Sequence, residues 1–189
     1  MNDVLNRKMI PIESLTTFII ASILLALVPG PDNLFVLAQS ALYGRKAGIF
    51  ITLGLCTGLV LHTSAVVLGV AALFKTSPVA FSVLKIAGAI YLLYLAWHAF
   101  KASSMSVQKR RSKVLTGVQL YRRGIVMNVT NPKISIFFLA FLPQFVVSNS
   151  GSIAQQIFLL GAIFILITFT VFGVVALLAG SLGTWLNHS

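Results

Sequence analysis

The sequence predicts an all-α membrane protein, a polytopic helical bundle. Three observations carry this: charge is scarce, the apolar runs are long, and helix-breaking residues interrupt two of those runs at matching places. Of 189 residues, 58% are hydrophobic and 9% charged, with a mean hydropathy of +0.97. A soluble domain carries about 25% charged residues, so water cannot be the solvent over most of this chain. Lipid admits only helices or a closed barrel, because every backbone polar group needs an internal partner. Barrel strands alternate apolar and polar residues. Here the apolar runs are continuous and of spanning length, which selects helices.

Five spans are expected within one transmembrane domain, 1–189. Span 1 runs from about Ser14 to Tyr43. As one helix it would be about 45 Å long against a hydrocarbon core of about 30 Å, and Pro29-Gly30-Pro31 supplies a break near its middle. Arg7 and Lys8 precede this run as they would in a signal peptide, but the uncharged stretch from Ser14 to Gly30 exceeds the usual length; it is read as a retained span. Span 2, Gly48 to Phe74, contains Gly54 and Gly58, then Ala65 and Gly69, spacings that let helix backbones approach closely. Span 3 covers Pro78 to Phe100. Span 4, about Gly124 to Val147, is interrupted at Asn131-Pro132. Span 5 runs from Ile153 to about Leu182.

Loop cations set the expected orientation. Arg45, Lys46, Lys101, Lys109, Arg110, Arg111, Lys113, Arg122 and Arg123 fall on one side, and Arg7, Lys8 and Lys75 on the other. The richer side is cytoplasmic, which puts loop 101–123 inside and the N-terminus outside. The net charge of +11 is thereby explained by topology and anionic lipid, and no nucleic-acid partner is expected. Cys56 is the only cysteine, which excludes an internal disulfide or a CxxC redox pair.

The order of elements repeats. Pro31-Asp32-Asn33-Leu34-Phe35 parallels Pro132-Lys133-Ile134-Ser135-Ile136 at an offset of 101, and the segments around Gly69 and Gly173 match at 104. A three-span unit copied once is necessarily inverted in the membrane, as in many secondary transporters. Repeat one is placed at about 14–100 and repeat two at about 121–189. The offset puts the partner of span 3 at about 182–204, so the second repeat reads as incomplete, lacking its last helix.

Pro29-Gly30-Pro31-Asp32-Asn33, Gly44-Arg45-Lys46-Ala47-Gly48, Asn131-Pro132-Lys133, Phe141-Leu142-Pro143-Gln144-Phe145 and Ala89 to Trp97 together resemble the LysE/RhtB family of amino-acid exporters. The resemblance covers essentially the whole chain. It implies export of small amino acids or their derivatives across a bacterial inner membrane, driven by the proton gradient. It also implies one more hydrophobic segment at the C-terminus, in agreement with the missing partner of span 3.

Asp32 is the only acid deep in a span, at an insertion cost of at least about 2.5 kcal/mol. Two readings stand. With Gly30 as cap and Pro31 first in the helix, Asp32 suits the positive end of the dipole; it also suits a proton or a substrate ammonium. Lys133 follows an Asn131-Pro132 cap with the wrong sign for that dipole. It is read as a carboxylate partner near Asp32, with snorkelling or a structural ion pair as alternatives. Asn33, Asn128 and Asn131 bring amides to the breaks, and Pro29, Gly30, Pro31 and Pro132 free backbone groups there. His62, in mid-span 2, is read either as a proton relay or as a core histidine.

No HExxH, GxSxG, phosphate loop or membrane carboxylate pair appears. The expectation is a secondary transporter rather than an enzyme, without cofactor or metal. Its partners are a small-molecule substrate, protons and lipid, with homo-oligomerisation open. Alternatives are a non-transport subunit or inactive truncated exporter, and a channel or metal-ion carrier on the same architecture.

Overall fold

The computed structural model describes residues 10–76, 78–101, 115–147 and 151–188. Arg7, Lys8, Lys109, Arg110, Arg111 and Lys113, named above for topology, lie outside the described residues. Every regular element described is helical: α1 (Ile12–Leu27), α2 (Pro31–Tyr43), α3 (Arg45–Thr76), α4 (Pro78–Lys101), α5 (Gly117–Val129), α6 (Pro132–Ile136), a π-helical turn (Phe137–Phe141), a 3-10 turn (Leu142–Phe145) and α7 (Ile153–His188).

Both expected breaks are present. α1 and α2 meet at 56°, and α5 meets the segment from Pro132 to Phe145 at 50°. Each bent pair is apolar enough to span a membrane as one unit, and α3 and α7 are each long and apolar enough alone. In α4, 24 residues long, the described apolar stretch is Lys85–Tyr94.

Some boundaries differ from the sequence reading. α5 begins at Gly117, so Arg122 and Arg123 lie within a helix instead of in the loop 101–123. The cause is a reciprocal cap: Gln119 N donates to Thr116 Oγ1 at 3.3 Å, and Thr116 N donates to Gln119 Oε1 at 2.9 Å. α7 continues to His188, so no new helix begins at 182; the run after Gly180 contains no proline to stop it. Between α2 and α3 a single residue, Gly44, makes the turn. Its φ of 85° is open to glycine at little cost, and its N–H donates to Ser40 O at 2.9 Å.

In lipid there is no hydrophobic force between helices, so packing depends on close approach around small residues. Gly54 faces the Tyr121 carbonyl, and a Cβ at Gly58 would come within 2.6 Å of Asn128 Oδ1; Gly124 answers from α5 against the Ile51 carbonyl. The expected approach of span 2 therefore holds at Gly54 and Gly58, against α5. Gly69, by contrast, has nothing within 4 Å among the described residues. α7 packs on α3 and α2 through Gly161 on Thr63, Gly180 on Arg45 and Gly183 on the Ala41 carbonyl.

Two apolar clusters result. One gathers Phe18, Leu59, Phe137, Phe138, Leu160 and Phe164. The other gathers Val36, Ile51, Leu55, Leu120, Phe172 and Ala176. α2 begins where the clusters adjoin, and Asp32 lies in its first turn.

Candidate functional site at the paired breaks

The first break leaves carbonyls without donors. Position 29 is proline, so the Leu25 carbonyl has no N–H four residues on; Val28 and Gly30 are extended, which orphans their neighbours too. Two side chains supply what is missing, one from the second half of the chain and one from the new helix itself. Lys133 Nζ donates to Leu25 O at 3.1 Å and Val28 O at 3.0 Å. Asn33 Nδ2 donates to Ala26 O at 2.6 Å. Lysine at the C-terminal end of α1 has the right sign for that helix dipole, although it has the wrong sign for its own helix start. Gly30 makes room: a Cβ there would lie 3.3 Å from Lys133 Nζ.

The second break closes on itself. Asn131 Oδ1 accepts from Lys133 N at 3.0 Å, with Pro132 at the first helical position. Pro143, also without an N–H, sits after the π-helical turn, where regular α-helical bonding ends.

Asp32 is 2% exposed and Lys133 7%. They are within electrostatic reach of each other, yet the lysine's hydrogen bonds go to backbone carbonyls and not to the carboxylate. Asp32 Oδ2 accepts from Asn128 Nδ2 at 3.5 Å, and Oδ1 has no hydrogen-bond partner among the described residues. The same holds for Asn33 Oδ1, Asn128 Oδ1 and Asn131 Nδ2. His62 Nε2–H donates to the Asn128 carbonyl at 3.2 Å, and its ring stacks on Phe138 with centroids 5.5 Å apart. It therefore holds the residue that holds Asp32.

The structure thus brings Gly30, Asp32, Asn33, His62, Asn128, Asn131 and Lys133 to one place. Pro29, Pro31 and Pro132 shape the breaks with exposed rings. Three further buried polar atoms have no partner among the described residues: Ser22 Oγ, Gln39 Oε1 and Thr168 Oγ1. The sequence reading passed over all three. A signal existed for Ser22, the only polar residue between Phe18 and Val28, and for Gln39, seven residues from Asp32 on the same helical face. No group of three or more His, Cys, Asp or Glu side chains that would hold a metal occurs among the described residues.

A multi-pass helical protein with two broken helices meeting around buried charge has the build of a membrane transporter. Comparison with known proteins defines the family: the profile of the LysE type translocators matches residues 23–189, and the chain belongs to that family. It is accordingly a transporter-type membrane protein and not an enzyme. Three relatives are similar over most of their length. An uncharacterized membrane protein, YrhP, of Bacillus subtilis is 30% identical over 94% of this chain and 88% of its own. A homoserine/homoserine lactone efflux protein of Salmonella typhimurium is 31% identical over 90% and 82%. A leucine efflux protein of Salmonella choleraesuis is 33% identical over 81% and 73%. No solved structure gives a significant match.

Proposed function

We propose that this chain exports small amino acids or amino-acid derivatives across the bacterial inner membrane, coupled to protons, by alternating access around the paired breaks. Amino-acid efflux is what two of its relatives are named for. One observation supports the site most strongly: Asp32 Oδ1, Asn33 Oδ1 and Asn128 Oδ1 are buried acceptors with no donor among the described residues. Buried acceptors are costly when unpaired, and an ammonium group brings three donors. Asn131 Nδ2 makes no hydrogen bond among the described residues, but it lies near enough to the Asp32 carboxylate to steady it, as Asn128 does.

In this reading Lys133 positions the break and adds positive field near the carboxylate, without being its direct ligand. Asp32 is also the group that takes up the coupling proton when substrate leaves, with His62 setting the register of Asn128. Inverted repeats placed about 14–100 and 121–189 would exchange inner and outer access around this point. The test is counterflow of labelled amino acids in proteoliposomes. Asp32→Asn keeps the volume and removes the charge, and transport should fall at least about 100-fold, the cost of about 2.7 kcal/mol of charge-assisted binding. Transport within twofold of wild type would refute the site.

The same reading places the N-terminus outside and the Lys101–Arg123 segment inside, from the excess of loop cations. In a Cys56→Ala background, Ser104→Cys should label only from the cytoplasmic side and Ser150→Cys only from outside. Outside labelling of both would overturn the orientation.

A further inference from the structure

We infer that the groove between α2 and the end of α7 binds an anionic phospholipid, with an acyl chain in the groove and the phosphate at Arg45 and Lys46.

The groove is a cavity of about 670 Å³. Leu37, Ala41 and Leu42 of α2 form one wall, and Val175, Leu182 and Gly183 of α7 form the other. Small residues create it. Gly183 meets the Ala41 carbonyl, and Gly180 meets Arg45. The helices touch at these points, while Leu37, Leu42 and Leu182 beside them stay exposed. From Val175 to Gly183 the wall runs about 12 Å along α7. Among apolar occupants no hydrophobic force chooses inside a bilayer. Charge at the end of the groove does.

That end lies at headgroup level. Tyr43 closes α2, and Trp185, 65% exposed, follows Gly183 on α7; such rings sit at membrane interfaces. Arg45 and Lys46 open α3 at the same end, and both are exposed. Arg45 lies directly on Gly180, beside the groove wall. The acids among the described residues are Glu13 and Asp32. Glu13 is in the first turn of α1, at the other end of the broken span, and Asp32 is buried at the break. Neither can neutralise the two cations above the groove.

A second copy of the chain would bring an apolar helix but the wrong charge, since it carries +11 with three acids. An anionic phospholipid brings both parts in the right order: a phosphate at the interface and an acyl chain running inward. Basic pockets between membrane helices bind such headgroups.

The test uses the two tryptophans, Trp97 and Trp185. In a Trp97→Phe parent, Trp185 alone reports from beside the groove. Its quenching by phosphatidylglycerol with brominated acyl chains, in competition with unlabelled phosphatidylcholine, gives the relative affinity in reconstituted bilayers. Phosphatidylglycerol should be preferred about 30-fold, since each cation near the headgroup contributes about a factor of five. Arg45→Gln with Lys46→Gln should bring the two lipids within twofold of parity. Lys85→Gln with Arg122→Gln removes equal charge from helices that do not line the groove, and should leave the preference intact. Ala41→Phe fills the groove and should abolish it. Lys46→Gln alone, at an exposed position, should lower the preference about fivefold, and decides the matter if either of the other groove variants fails to fold. Parity in the parent, equal losses from both charge pairs, no change in Lys46→Gln, or a preference that survives Ala41→Phe each overturn the inference. So does a parent dimer that Ala41→Phe disperses, which would put a second copy in the groove.

Discussion

The two breaks look alike in sequence and are held in different ways. Each places a proline at the first position of a new helix, 101 residues apart. The second is local: Asn131 caps Lys133 N, two residues away. The first is not. Its Leu25 and Val28 carbonyls are satisfied from more than 100 residues along the chain, by one ammonium group on the opposite break. The second break is thus closed from within its own segment, while the first draws two of its donors from the other half of the chain. A single residue, Lys133, belongs to both arrangements through its N–H and its Nζ.

The comparison can be broken most sharply at Lys133. Lys133→Met removes the donor to two membrane-buried carbonyls and leaves Asp32 without a nearby cation. It should cost about 3 kcal/mol of stability, by the usual penalty for unpaired buried groups. Thermal unfolding in detergent measures this, and a loss under about 1 kcal/mol would mean that the first break does not depend on the second. Asn131→Ala removes only a local cap and should cost about 1 kcal/mol; a loss as large as that for Lys133→Met would erase the asymmetry. Gly30→Ala is the mildest. Its Cβ would come within 3.3 Å of Nζ, the far end of a flexible side chain that can give by a few tenths of an ångström. It should cost less than about 1 kcal/mol, but combined with Lys133→Met it should cost nothing further, because the crowded group is gone. Additive losses in that double variant would place the strain of Gly30→Ala elsewhere.

Much of the fold was legible because each signal was local. Pro29-Gly30-Pro31 and Asn131-Pro132 cannot continue a helix, so both kinks followed from missing N–H groups. Gly54 and Gly58 announced a close approach, although nothing in the sequence said that α5 would be the neighbour. The pattern misled where it relied on loop charge. Arg122 and Arg123 were assigned to a loop, whereas the Thr116–Gln119 cap starts the helix before them. The helix signals of α7 were right, but the repeat offset placed a boundary at 182 inside a helix that has no breaker there.

Within the site, the sequence singled out Asp32 and Lys133 because charge in a span is conspicuous. Proximity was foreseen, with an ion pair as one alternative; the lysine's hydrogen bonds go to backbone carbonyls instead. That choice depends on which orphan carbonyls lie within reach of Nζ, which only the docking of two halves defines. His62 was set down as a relay or a core histidine, and its contact with the Asn128 carbonyl depends on the α3–α5 packing.

By itself, then, the sequence determined the solvent, the helical class and the positions of the two breaks, because composition and missing backbone donors act within a few residues. Tertiary structure alone decided who satisfies whom. Whether a buried carbonyl, amide or hydroxyl such as Ser22 Oγ finds a partner depends on groups far along the chain, since hydrogen bonds form only within about 3.5 Å.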